Sequence, residues 1–316
     1  MKKIKEILQK IRNISILLIF KIYLILFWHP KKVFIKLFRK EDKIKILHIW
    51  NVAGVSNTLS FEQRKLNVQS DIISRIDLDL YHFHKIHPEC FISLPRSFLQ
   101  FYAKTLFLAR KYDILHIHWY DWIIPYLRFL YNKKIIIIHY HGSDIRYRFE
   151  EKRKRNKYSD FIAVSTSDLI QHIPESSYIP NPVDLNHFTR KKDFIKKTAL
   201  TFQAYSKFKN TKNLAEKVAK KRDLKLTIIN REKKKIPYPE MPRFLEKFEF
   251  YIDIRQEPTK NEILDTLSLT ALQALGLKTK VIFNNKVIEE FPKENNPTRV
   301  AKQWIEVYKK LKKERV

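Results

Sequence analysis

Glycine is nearly missing from this chain. Only Gly54, Gly142 and Gly276 occur in 316 residues, where ordinary usage predicts roughly 22. A chain that has dispensed with glycine elsewhere keeps it where a positive φ or a close backbone approach demands it. Cysteine is reduced to Cys90. That excludes a disulfide framework and a zinc site built on thiolates, and it fits a reducing compartment. Within PECFISL, Cys90 reads as a small buried hydrophobe. Acid is also scarce: 33 Asp and Glu stand against 63 Lys and Arg, a net charge of +30. Such an excess calls for an anionic partner, whether nucleic acid, a phosphorylated ligand or acidic lipid. No nucleic-acid motif accompanies it, so no nucleic acid is expected as a partner.

The apolar run of residues 14–28, ISILLIFKIYLILFW, carries Lys21 at its middle and is closed by Pro30. Fifteen residues of helix reach about 22 Å, short of the roughly 30 Å hydrocarbon core. Residues 1–40 hold eleven Lys and Arg against one Glu. No small-residue cleavage site follows, so a removed signal peptide is not expected. This composition predicts a segment lying in the interface of an anionic membrane, with Tyr23 and Trp28 at headgroup level.

From Lys43 onward, strand-like and helix-like stretches alternate. KIKILHIW (43–50), DIISRIDL (71–78), DILHIHW (113–119), KKIIIIHYH (133–141) and DFIAVST (160–166) read as strands. Near-continuous apolar runs spaced by helices predict a buried parallel sheet. IPNPVDLNHFTRKKDF (179–194) interrupts the rhythm and marks a domain boundary. A second series follows, with strands at 199–206, 224–230, 249–256 and 280–285 and a helix from about Asp265 to Leu275. The expected plan is α/β: a basic, apolar attachment segment over 1–42, one Rossmann-like domain over 43–190 and a second over 191–316 that includes the last helix. Two such domains set their strand C-termini across a cleft, where open α/β sheets bind ligands.

Histidines punctuate the first series. His116 and His118 share one strand face, but no carboxylate or cysteine set completes a metal site around them; cleft-lining or core histidines are expected. His82, His84 and His87 in YHFHKIH are expected in a loop.

HYHGSDIR, FIAVSTSDLI and YIPNPVDLNHF, in that order, resemble the N-terminal domain of retaining GT-B glycosyltransferases of the large group-1 (family-four) class. LTALQALGLKTKVI resembles that family's donor-site helix and following strand. The resemblance spans about residues 44–315. It implies the GT-B fold and a membrane-associated, metal-independent enzyme without cofactor. That enzyme moves a sugar, with retention, from a nucleotide-sugar to a lipid-linked or membrane-proximal glycan at the cytoplasmic membrane face. On the same resemblance Gly54 belongs to the first loop, near donor phosphate, and His141 contacts the transferred sugar. Asn51, Ser143, Asp144 and Asn181 lie on the acceptor side of the cleft, Asp144 also suiting a helix cap near Ile145. Lys212 matches the second basic position on the donor diphosphate, and the first falls to Lys207 or Lys209. The family's paired glutamates fall on Asp265, expected to be catalytic, and Gln273, expected to bind donor. Both depart from glutamate, which keeps open a non-catalytic relative as a rival; the net charge of +30 keeps open a second, a basic nucleic-acid-binding protein.

Overall fold

The computed structural model describes residues 43–142, 144–146, 148–203, 211–255 and 264–315. The attachment segment expected over 1–42 therefore lies outside the described residues. Among the described residues no helix is long and apolar enough to cross a membrane.

The first sheet contains β1 (Lys45–Ile49), β2 (Gln69–Ile73), β3 (Phe91–Ser93), β4 (Ile114–His118), β5 (Ile135–Tyr140), β6 (Phe161–Val164) and β7 (Ser177–Tyr178), in the order β3-β2-β1-β4-β5-β6-β7. All its pairings are parallel. β1, β4 and β5 are buried on both faces, which explains why they read as continuous apolar runs. α1 (Val55–Lys65), α2 (Phe98–Ala109), α3 (Ile124–Leu130) and α4 (Phe149–Asn156) are the helices that follow strands of this sheet. α2 starts from Ser97, whose hydroxyl accepts the Gln100 amide. The order of the strands turns back between β1 and β4, and at such a switch point two connections diverge and leave a crevice.

The second sheet is smaller. β8 (Ile195–Gln203), β9 (Lys225–Asn230), β10 (Phe248–Ile252), β11 (Lys280–Phe283) and β12 (Lys286–Ile288) run in the order β12-β11-β10-β8-β9. Only β12 is antiparallel, joined to β11 by a tight hairpin with Asn284 and Asn285 at positive φ. α5 (Thr211–Lys221), α6 (Met241–Leu245) and α7 (Leu269–Gly276) belong to this half. Its switch point lies between β8 and β10. The chain thus holds two open α/β sheets facing one another across a cleft, the GT-B architecture.

The closing helix corrects one expectation. α8 (Pro297–Glu314) was counted with the second domain, yet it packs on the first sheet. Its stripe Val300, Ala301, Trp304, Tyr308 and Leu311 meets Ile46, Leu59, Ile114 and Ile137. The spacing of that stripe is helical, and the first sheet has an apolar face for it to cover. Two chain crossings therefore connect the halves, and they touch: Val183 N donates to Asn295 O at 3.2 Å, and Asn295 Nδ2 donates to Asn181 O at 2.8 Å. The loop after β2 also reaches across, where Tyr238 N donates to Tyr81 O at 2.7 Å.

Candidate active site in the interdomain cleft

The C-terminal ends of both sheets open onto one cleft of about 650 Å³. On the first sheet its wall is Trp50, Asn51, Val52 and Ala53 after β1, Trp119 after β4, and His141 with Arg146 after β5. The backbone bends sharply at each strand end: φ is +78° at Trp50, +63° at Trp119 and +104° at Gly142. Two tryptophans in the left-handed region carry a conformational cost. Trp50 is held there by stacking on Tyr120, ring centroids 4.6 Å apart. Asn51 Oδ1 is buried without a hydrogen-bond partner.

Two of the three glycines have their reasons here. At Gly54, the residue before α1, φ is +83°, and an added Cβ would lie 3.1 Å from the Phe83 ring and 3.3 Å from Tyr238. A side chain here would crowd Phe83 of the first half and Tyr238 of the second. At Gly142 a Cβ would collide with the Arg146 guanidinium. That guanidinium is fixed by Asp168 at 2.6 Å and Thr166 at 3.1 Å. Gly142→Ala is therefore expected to lower stability by about 1–3 kcal/mol, read as a shift of the urea midpoint; an unchanged midpoint would refute the strain.

His141 sits half-buried at the cleft wall with its ring nitrogens turned inward. Nδ1 meets Asn181 Oδ1 at 2.9 Å and Nε2 meets His118 Nδ1 at 2.9 Å. Burial holds its pKa down at about 4, against a smaller opposing effect of the Asn181 bond. Asp144 does not cap a helix at Ile145, since α4 begins only at Phe149. Both its carboxylate oxygens accept the His141 amide, at 3.0 Å. Burial raises its pKa to about 6. Neither Asp144 nor Asn181 lines the cleft; both are positioning residues for His141.

The opposite wall is formed by Thr201 and Phe202 of β8, Arg231 after β9, Ile252 of β10 with Asp253 and Arg255 after it, Tyr238, and Ser268, Thr270 and Gln273 at α7. Ser268 caps α7, its hydroxyl accepting the Ala271 amide at 3.0 Å. Asp253 Oδ2 accepts the Ser268 amide at 2.7 Å. Arg231 donates to Thr270 Oγ1 at 2.7 Å and lies 4.3 Å over the Phe202 ring. Among the described residues no carboxylate pairs with Arg231. An unpaired guanidinium beside a helix N-terminus is an anion site in waiting.

Of the second-domain candidates among the described residues, only Gln273 reaches the cleft, where it approaches the Tyr238 hydroxyl. Asp265 is exposed and accepts from Asn284 Nδ2 at 2.9 Å. The eight-residue spacing fails because α7 begins at Leu269, after Asp265. Lys212 points to solvent, 57% exposed and 3.8 Å from Glu216. Ser143, Lys207 and Lys209 lie outside the described residues. Arg231, Asp253 and Arg255 are not among the expected residues: Arg231 directly follows β9, whereas Asp253 and Arg255 fall within the stretch 249–256 read as strand.

Five of the histidines form one cluster. Parallel register sets His48 beside His116 and His118 beside His139. With His141 they line one face of β1, β4 and β5, under Trp304 and Tyr308 of α8. His116 and His118 are core histidines, as expected, and no carboxylate or cysteine joins them among the described residues; other histidines do, in two trios with ligand atoms within 4.8 Å of one another, His48–His116–His118 and His118–His139–His141.

No protein-family model and no curated protein matches the chain. Among solved structures, UDP-GlcNAc 2-epimerase from Neisseria meningitidis bound to UDP-GlcNAc is similar over 84% of this chain and 92% of that one, at 10% identity and TM-score 0.44. UDP-GlcNAc 2-epimerase from Methanocaldococcus jannaschii is similar over 83% of this chain and 100% of that one, at 12% identity and TM-score 0.48.

Proposed function

We propose that this chain is a nucleotide-sugar-dependent glycosyltransferase. The observation that carries the reading is the cleft itself, with an anion site on one wall and the His141 loop on the other. The nucleotide diphosphate lies on the second domain, its charge against Arg231 and the N-terminus of α7. Gln273 has both donor and acceptor atoms for a nucleoside hydroxyl. The sugar extends towards His141, and the acceptor enters past Asn51. Growing negative charge on the leaving diphosphate is stabilised by a guanidinium already fixed in place. The basic, apolar residues 1–40 suit an acceptor at an anionic membrane, a lipid-linked or membrane-proximal glycan. Retention of configuration is part of this reading and rests on the group-1 resemblance.

The test is nucleotide release from a panel of nucleotide-sugars, with and without membrane extract. Acceptor-dependent release of nucleoside diphosphate with a glycosylated lipid product is expected. Arg231→Ala should weaken nucleotide-sugar binding by about 10- to 100-fold, through the loss of charged hydrogen bonds. His141→Ala should spare nucleotide binding and cut turnover by about 100-fold. Sugar conversion without transfer to any acceptor would replace the reading by epimerase chemistry. No change of the panel by the wild-type chain would leave a binding protein.

A further inference from the structure

We propose that His118, His139 and His141 form a binding site for one divalent first-row transition ion of the zinc class, open to the interdomain cleft. This inference stands independently of the glycosyltransferase reading. The three ligand atoms lie within 4.8 Å of one another. His118 and His139 are fully buried. Neither ring nitrogen of His139 makes a well-formed hydrogen bond, and one has only a weak interaction with the Ile179 backbone. That leaves at least one buried imidazole nitrogen unengaged, which is costly unless something occupies its lone pair.

Proton counting strengthens the case. A hydrogen-bonded chain runs Asn181 Oδ1, His141, His118, His48, Gln63 Oε1, with gaps of 2.9, 2.9, 3.0 and 2.9 Å. It begins and ends on an amide oxygen, which only accepts. Four gaps need four protons, and three neutral imidazoles carry three. A fourth proton would place a net positive charge among buried rings, His48 and His118 being fully buried. The Gln63 amide is oriented by Ser70 Oγ, which donates to Oε1 at 2.7 Å, and by Tyr308, which accepts from Nε2 at 3.2 Å. If the three protons satisfy the outer gaps, the lone pairs of His118 Nδ1 and His141 Nε2 face each other beside His139. A cation belongs there. Two of the three ligating rings then donate their other N–H outward, His141 to Asn181 and His118 to His48, the support that metal-bound histidines ordinarily receive. The 2.9 Å gap must open to about 3.3 Å for tetrahedral ligation at 2.0–2.1 Å.

The donor set selects the ion. Three neutral imidazoles suit zinc, copper or nickel and not magnesium or calcium, which require oxygen. Three protein ligands leave a fourth position. Of the three ligands His141 lines the cleft, so hydrated ions reach the site from that side. Asp144, bonded to the His141 amide at 3.0 Å, supplies negative charge beside the site. The deeper trio offers less: both nitrogens of His48 and Nδ1 of His116 are engaged, and none of its members lines the cleft.

The test uses the full chain, stripped with chelator, loaded with zinc and desalted. One zinc per chain is expected to remain. Cobalt in its place should give the strong visible bands of tetrahedral ligation, and X-ray absorption should show a shell of light atoms with imidazole scattering at about 2.0–2.1 Å. His139→Leu should lose the ion, Asn181→Leu should weaken it by about 10- to 100-fold, and His116→Phe should keep it. No retention by wild type overturns the site, as does equal retention by His139→Leu. Loss in His116→Phe with retention in His139→Leu moves the ion to the deeper trio and overturns it equally. Should His139→Leu not fold, the absorption shell of the wild-type protein decides: sulfur ligands, or oxygen without imidazole, reject the proposal.

Discussion

Acidified from about pH 7.5 to about 5, the metal-free protein is expected to unfold cooperatively and to take up about four protons. Five buried histidines are held neutral in the fold: His48 and His141 at about pKa 4, and His116, His118 and His139 lowered well below 6.5, in each case first by burial. In the unfolded chain they titrate near 6.5. Between those values the unfolded state binds more protons, so stability falls as pH falls. Each group contributes a slope of at most about 1.4 kcal/mol per pH unit. Asp144 works in the opposite sense. Its folded pKa of about 6 lies above the unfolded 3.8, so in that window the folded state holds a proton that the unfolded state has lost. Four net protons give up to about 5 kcal/mol per unit, against a typical stability of 5–15 kcal/mol. Circular dichroism against pH at several urea concentrations checks the slope. A flat stability profile between about pH 6.5 and 5 would show that the cluster is already protonated or solvated.

Trp304→Ala should destabilise the protein by about 3–5 kcal/mol, the range for deleting a large aromatic from a core. Trp304 is fully buried and its ring centroid lies 4.3 Å from His116 and 5.1 Å from His139. It is the main contact by which α8 covers the histidine face. Its Nε1 has no hydrogen-bond partner, so Trp304→Phe loses packing alone and should cost much less. Urea unfolding of the two variants measures the difference. A loss below about 1 kcal/mol for the alanine variant would mean that α8 contributes little to the first domain.

Much of this fold was legible because buried parallel strands announce themselves. KIKILHIW and KKIIIIHYH need no partner to be recognised. β3, β7 and β12 were not seen, being two or three residues long and lying at sheet edges. Too little of their surface is buried to impress a pattern on sequence. The site was legible in part. Reading the residue after each strand would have found Arg231, since strand C-termini face the cleft; Asp253 lay hidden inside the stretch 249–256 because β10 ends early, at Ile252. The family pattern pointed to Lys212 and Asp265 instead, and local geometry turned both outward. The histidine cluster left a trace: KILHIWN, DILHIHWYD and IIIIHYHG each carry histidine at the strand's C-terminal end. Period-two alternation puts each strand's histidines on one face. Only register shows that three strands present the same face at the same height, and register belongs to the assembled sheet. The place of α8 was hidden for a related reason: an amphipathic helix declares that it has an apolar face and not which sheet receives it.

The return of α8 also orders events in time. On the ribosome the seven strands of the first sheet emerge by Tyr178, while Trp304 and Tyr308 come more than a hundred residues later. At synthesis rates of about 5–20 residues per second, the histidine face waits uncovered for roughly ten seconds. The second sheet, complete by Ile288, has its strands in hand before the first acquires its cover. The domain that begins the chain is thus the last to be finished, and a nascent chain stalled before residue 297 presents an open sheet to chaperones.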